Sequence, residues 1–429
     1  MPNMSSRHHG WWLIGLVSLV SGCAHPAPPP YFESPVLPTV SRGSLSLDLS
    51  ALPKDVGPDR ADASYRGLNE ADCLCLAARA STLGNLLDLK SQTVFEKKCG
   101  CQFGPDGASE QSLAVLKYAA DEARSRSAGD AIEAFYRLTE AEGRLPLLLL
   151  SLKEVDESLK RAEELQAKGL RPPVEIAVIR KQLIDLRSDE VNLRIANLQL
   201  NARLKVLLGL SSGDYRIWPL ADLKIVPDKP EVDEAINYGL HHRPDLALLE
   251  ALAGSLDAGS LTLASQTLGG LNPLLGETSS SCCLASVLAC LDGSKTQSAE
   301  QQVQLLLVDR QRQATEEIRQ AAGLVVERVQ LVILAQHKVA IEERRITELE
   351  EKKAKGLDAE GELSAARLNL YKAQGDRLRE VVDWKIARAR LRQAQGRLLE
   401  ECEPTGNAAP GAAPTEKAHC FGTPSECAR

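Results

Sequence analysis

Cysteine and histidine are the residues of this chain that could do chemistry, and their spacing decides which chemistry. The 429 residues include 11 Cys and 7 His. Cys73 and Cys75 sit two apart in a helical pattern, so they face different sides and make a poor chelate on one helix. Cys99 and Cys101 lie in a Gly-rich turn, Cys282, Cys283 and Cys290 in another, and Cys402, Cys420 and Cys427 in or near the C-terminal tail. A zinc site would draw on the same residue types, but no CxxC pair supports one. Disulfides are the preferred reading, with Cys99, Cys101, Cys282 and Cys283 as candidates and no pairing assigned. His241 and His242 stand at a helix start as a conceivable ligand pair. Adjacent helical residues diverge, however, and two solvated polar residues are the simpler reading. No nucleophile phrase, phosphate loop or paired-His metal motif appears. The chain reads as neither an enzyme nor a cofactor binder.

One cysteine stands apart. Arg7, His8 and His9 form a weakly basic start, and Trp11 to Val20 form an apolar run too short to span a bilayer. Val20-Ser21-Gly22-Cys23 follows and resembles a bacterial lipobox. That resemblance implies a signal peptide over 1–22 and lipid on Cys23. An ordinary signal peptide with an incidental Cys is the other reading. Ala24, where an Asp would direct retention, favours the outer membrane. Ten cysteines remain after Cys23, an even number that suits disulfides in an exported protein.

The elements that must position these residues are helices. Aromatics make up only 4% of the chain, which argues for long helices over a large compact core. A net charge of −7, with basic residues spread along helix faces, leaves no nucleic-acid footprint. Ala-Lys-Gly-Leu at 167–170 returns at 354–357, 187 residues later, each time between long charged segments. This is the pattern of a helical hairpin made twice. Leu148, Leu152, Val155, Leu159 and Ala162 precede the first tip at spacings of 4, 3, 4 and 3. Ile176, Ile179, Leu183 and Leu186 follow it, and Leu193, Leu200, Leu204 and Leu207 keep the register, with Glu190 and Asn197 at two seam positions. Val332, Ala335, Val339, Ile346 and Leu349, then Leu363, Ala366, Leu370 and Ala373, repeat this around the second tip. Helices packed side by side along their length require such a seam. A kink is expected near Pro146.

The expected organisation is a signal peptide (1–22), a Pro-rich tether (23–66), a first helical repeat (67–210), an irregular connector (211–230), a second repeat (231–401) and a disordered tail (402–429). The fold class is all-α, with long antiparallel hairpins in two internal repeats. The charged runs 342–345 and 348–353 are solvated helix faces. At the tips, Gly169 and Gly356 could simply end helices, because Gly accepts the left-handed conformation. That does not account for the shared Lys and Leu. Docking is the functional alternative, with Leu170 and Leu357 packing on a partner and Lys168 and Lys355 orienting it.

The ordered set of these phrases resembles the outer membrane efflux protein family, the TolC-like outer membrane factors. His242-Arg243-Pro244-Asp245-Leu246 matches the family's RPDL phrase, the two Lys-Gly-Leu tips its hairpin ends, and the run closing at Leu210 the end of its first repeat. The resemblance covers about residues 67–400. It implies a homotrimeric tube without an active site; with the lipobox at Cys23, the expected place is the periplasmic face of the outer membrane, held by lipid. It also implies docking to a periplasmic adaptor that links the tube to an inner-membrane pump. One departure matters. The family's barrel strands belong in the turns that here span 99–108 and 269–298. A membrane strand needs about 9–11 alternating residues. The first turn is too short, and the second shows no sustained alternation, so barrel hairpins are expected to be reduced or absent. A periplasmic coiled-coil lipoprotein without transport activity is the competing reading.

Overall fold

The computed structural model describes residues 39–40, 64–99, 107–170, 174–211, 213–226, 229–254 and 293–402. The signal segment, Cys23, Cys101, Cys282, Cys283, most of the tether and the tail beyond Cys402 lie outside them. In chain order the elements are β1 (Thr39–Val40), β2 (Ser64–Asn69), α1 (Glu70–Ala80), α2 (Thr82–Cys99), α3 (Gly107–Ala167), α4 (Ile176–Leu207), β3 (Tyr215–Leu220), α5 (Val232–His242), α6 (Pro244–Ala253), α7 (Gly293–Ala354) and α8 (Glu360–Ala394). The architecture is all-α with a small sheet. Among the described residues each repeat has the same order: a strand, two short helices, one very long helix, a tip and a returning helix. At 61 residues, α3 is roughly 90 Å long. Pro146 lies inside it without ending it.

The seams expected from spacing are the packed faces. Val155 and Ala162 on α3 meet Ile179 and Leu183 on α4, with Leu152, Leu159, Ile176 and Leu186 around them. Leu349 on α7 meets Leu363 and Ala366 on α8, with Ile346 beside them. Asn197, a polar seam position, is only 4% exposed.

A ladder of side chains then joins the two hairpins, α3 to α8. Arg161 pairs with Glu360 (2.9 Å), Ser158 with Ser364 (2.8 Å) and Arg367 with Glu154 (3.6 Å). Further along, Arg137 pairs with Asp383 (2.8 Å) and Arg390 with Glu133 (2.8 Å), and Gln393 donates to the Ser125 carbonyl (3.2 Å). As the numbers fall on α3 they rise on α8, so the helices run antiparallel along some 36 residues. Four of the scarce aromatics meet in the main core, which draws on both repeats. Phe135, Tyr136, Trp384 and Tyr215 share one core with Leu68, Leu204, Ile217 and Ile318.

The connector is more ordered than expected. Its residues 215–220 form β3, which pairs in parallel with β2 from Ser64↔Tyr215 to Asn69↔Leu220, while β1 pairs antiparallel on the other side of β2. Each repeat thus opens on a strand, and the two opening strands hold the repeats together. Pro219 hid this strand in the sequence; Pro is tolerated at a sheet edge because no partner there needs its missing N–H. The open edge of β3 is covered by α4, where Asn201 Oδ1 accepts the Ile217 N–H at 2.7 Å. Asn69 ends β2 and caps α1, its Oδ1 accepting the Asp72 N–H at 2.7 Å.

In the second repeat an ion network fixes the break between α5 and α6. Arg243 is 6% exposed and grips both oxygens of Asp245 (2.9 and 2.8 Å). It also donates to Glu317 on α7 (2.7 Å) and to the Ala394 carbonyl closing α8 (3.1 Å). Arg310 closes the ring, with Nε on Asp245 and NH1 on Glu317, both at 2.7 Å. Burial by itself would raise the Asp245 carboxyl, but the two guanidiniums outweigh it and hold it below its ordinary 3.8. A carboxylate depressed in the fold adds stability above its unfolded pKa and loses it as pH falls.

Asp245→Asn should therefore lower stability at pH 7 by about 2–4 kcal/mol, less than a fully broken buried pair because Arg243 keeps Glu317. It should also flatten the decline in urea midpoint below about pH 4. An unchanged acid decline would remove Asp245 from this role. The glycines allow a second comparison. Gly356 (φ +79°) has open space where a Cβ would stand, whereas at Gly396 (φ +77°) a Cβ would lie 2.6 Å from the His242 carbonyl oxygen. Gly356→Ala should cost about 1–2 kcal/mol from backbone strain alone. Gly396→Ala should cost roughly 1–3 kcal/mol more, read from the same urea titration.

Candidate functional site

Both tips end in the same turn. After α3, the Leu170 N–H bonds to the Leu165 carbonyl (2.9 Å) and the Gly169 N–H to that of Gln166 (3.0 Å). After α7, the Leu357 N–H bonds to Lys352 (3.2 Å) and the Gly356 N–H to Lys353 (2.9 Å). This pair of bonds, with Gly at φ +71° and +79°, is the Schellman arrangement that satisfies the last helix carbonyls. The glycines are required by the backbone. The residues beside them are not. Leu170 and Leu357 are 55% and 59% exposed, and Lys168 and Lys355 are exposed too.

Because α3 and α8 are antiparallel, the tips share one pole of the described structure. Arg161, near the end of α3, meets Glu360, the first residue of α8. Lys353 reaches the same carboxylate at 2.5 Å. The hydrogen bond from Lys353, with Arg161 alongside, holds the half-buried Glu360 carboxyl below its ordinary range. The tips differ in length. The first runs from Lys168 to Glu175, the second only from Lys355 to Ala359, and Ala359 is 4% exposed against Leu349 and Leu363. This pole presents two exposed apolar side chains, Leu170 and Leu357, each two residues after an exposed lysine.

The other sequence candidates fall elsewhere. Cys99 ends α2, but its side chain lies outside the described residues, as do Cys101, Cys282 and Cys283 entirely. Among the described residues one disulfide joins Cys75 to Cys402, and Cys73 is a buried free thiol. Sequence reading missed this pairing because Cys402 looked like tail and its partner lies 327 residues earlier. His241 and His242 are exposed; His242 stacks on Tyr238 at 3.9 Å and His241 bonds to the Asn237 carbonyl. Among the described residues, no group of three or more His, Cys, Asp or Glu is placed to hold a metal, and no helix is long and apolar enough to cross a membrane.

The RPDL phrase was legible only as a resemblance. Its chemistry is the Arg243–Asp245–Arg310–Glu317 ring, and Arg310 and Glu317 carry no motif. That ring borders a polar cleft of about 430 Å³ that also contains Arg137, Arg328 and Asp383. The arginines of this cleft are engaged: Arg137 and Arg328 both bind Asp383 (2.8 and 3.1 Å).

No family model and no curated protein matches this sequence. Solved structures do match its shape. The Campylobacter jejuni CmeC outer membrane channel aligns with a TM-score of 0.53 at 14% identity over 68% of this chain and 66% of its own, so the chain spans just under two thirds of that channel. The open Neisseria gonorrhoeae MtrE outer membrane channel aligns at 0.52 and 12% identity, covering 76% and 88%. CusC, whose structure concerns transmembrane channel formation, aligns at 0.51 and 14%, covering 76% and 95%. Two strand-led repeats, each with a long hairpin ending at one pole, give this chain the TolC-like outer membrane factor fold.

Proposed function

We propose that this chain is an outer-membrane-anchored efflux or export component, a passive conduit or docking element between a periplasmic adaptor with its inner-membrane pump and the outer membrane. The twin tips carry this reading. Their glycines are explained by the turn, but exposed leucines repeated at one pole are explained by a partner. A second observation supports a tube built from copies of the chain. Ile184, Val191, Ile195 and Leu198 on α4 are spaced 7, 4 and 3 apart and are all exposed. Leu324, Leu331, Leu334 and Ile341 on α7, spaced 7, 3 and 7, are exposed as well. These are coiled-coil spacings without a partner in the single chain, and a trimer of the family's kind would cover them. In this reading lipid on Cys23 anchors the assembly at the periplasmic face of the outer membrane.

One observation favours the alternative, a periplasmic structural coiled-coil lipoprotein without transport. Only seven residues separate the end of α2 from the start of α3. That is fewer than one membrane strand requires.

Tip variants separate the two readings. Leu170→Asp/Leu357→Asp places charges where a partner would bury them. Both side chains are exposed, so protein level and helix content should stay unchanged while pull-down of the adaptor and export of a toxic compound fall at least tenfold. Normal pull-down and normal export would leave the tips as turns and favour the structural lipoprotein. In the same cells, Cys23→Ser should move the protein out of the membrane fraction; full retention there would rule out the lipid anchor.

A further inference from the structure

The fold treats its described cysteines unequally. Cys73 and Cys75 are two residues apart on α1, yet Cys73 is 0% exposed inside the main core. Burial, with Glu70 and Asp72 adding to it, pushes its thiol far above the ordinary 9.0. Cys75 lies on another side of the helix, half-buried, bonded to a half-buried Cys402. Thiol exchange requires a reachable thiolate. Cys75 and Cys402 are partly exposed, whereas Cys73 is shut in.

Contacts other than the bond also hold the segment that carries Cys402. Leu398 is fully buried in the core, and Gly396 packs against the His242 carbonyl. Arg397 stacks 3.8 Å over the Tyr238 ring, and the Tyr238 hydroxyl donates to Glu400. These contacts are with α5 or with the core, so packing of the second repeat delivers Cys402 to α1 of the first. Five cysteines (Cys99, Cys101, Cys282, Cys283 and Cys290) lie between the bonded pair. Oxidation in order of chain emergence would join Cys75 to one of those, or to Cys73. The observed bond requires the end of the chain to be in place first.

We infer that the Cys75–Cys402 bond is a clasp closed after folding by exchange with a dithiol–disulfide carrier protein, and that burial of Cys73 selects which α1 thiol reacts. In the folded dithiol the Cys402 thiolate attacks one sulfur of the carrier's disulfide. The carrier's S–S bond breaks, one carrier thiolate leaves, and a mixed disulfide forms. The Cys75 thiolate then attacks Cys402 Sγ, the mixed bond breaks and the second carrier thiolate leaves. The two protons lost by Cys75 and Cys402 end on the carrier. The carrier is reduced by two electrons and this chain is oxidised by two. The inference needs the chain to reach an oxidising compartment; it does not need the chain to conduct.

The test uses the full exported chain. After reduction with a phosphine and alkylation without denaturant, residue-level mass mapping should find Cys75 and Cys402 modified at least tenfold faster than Cys73. Adding oxidised glutathione to the reduced, folded chain should restore Cys75–Cys402 as the main product. The same oxidation in denaturant should give mixed pairs that include Cys73. Cys73→Ala should leave the native yield unchanged and remove only the Cys73 pairs. Equal alkylation of Cys73 and Cys75, whether because burial does not protect or because the reduced chain unfolds, would overturn the inference. So would native reoxidation to other pairs, a changed native yield in Cys73→Ala, or free Cys75 and Cys402 in the exported protein.

Discussion

A helix of some 60 residues can be reversed only where the backbone leaves the right-handed region, and four glycines do this here. Gly169 and Gly209 bracket α4, and Gly356 and Gly396 bracket α8, all at positive φ. The two tip glycines are 187 residues apart, and so are the two closing glycines. The hairpin length is therefore fixed twice by the same device. Everything else follows from that equality. Returning helices of matched reach bring both tips to one pole and both closing turns to the other end of the hairpins. There Gly209 packs 3.0 Å, measured from a Cβ it lacks, against Ala80 of α1, while Gly396 packs against His242 of α5. Each closing glycine thus docks its hairpin onto the short helix that opens its own repeat.

The long-range side-chain pairs hold this frame in register more than they stabilise it. Most ion pairs along α3 and α8 are partly exposed, where each contributes about 0–1 kcal/mol. Their value lies in direction: the pairs from Arg161–Glu360 to Arg390–Glu133 allow one antiparallel alignment. The buried Arg243–Asp245 pair is different. Its loss would leave a guanidinium in a nearly closed site, so it ties α5, α6, α7 and the end of α8 to one geometry.

The repeat, the hairpin seams and the tips were legible in the sequence because each is written in a short-range code. Heptad spacing fixed Val155, Ala162, Ile179 and Leu183 as one face, and Lys-Gly-Leu marked the turns. The sheet was not legible. Tyr215–Leu220 is six residues with a proline, and its partner Ser64–Asn69 lies about 150 residues earlier at the edge of a Pro- and Ser-rich stretch. Nothing local distinguishes such a strand from a linker until the two repeats dock. The clasp was hidden for the same reason, since no spacing rule joins Cys75 to Cys402. Arg310 and Glu317 looked like ordinary members of a charged helix; only the fold brings them to the RPDL phrase.

We propose that this chain is one stave of a tube, its exposed α4 and α7 stripes covered by further copies. The most direct measurement is the mass of the detergent-solubilised assembly by light scattering, with and without Ile195→Asp/Leu334→Asp. Both positions are exposed in the single chain, so the fold of one copy should survive. Three copies per particle, falling to one in the double variant with helix content unchanged, is the result expected. A single copy in the parent protein, with both stripes open to solvent, would contradict the account.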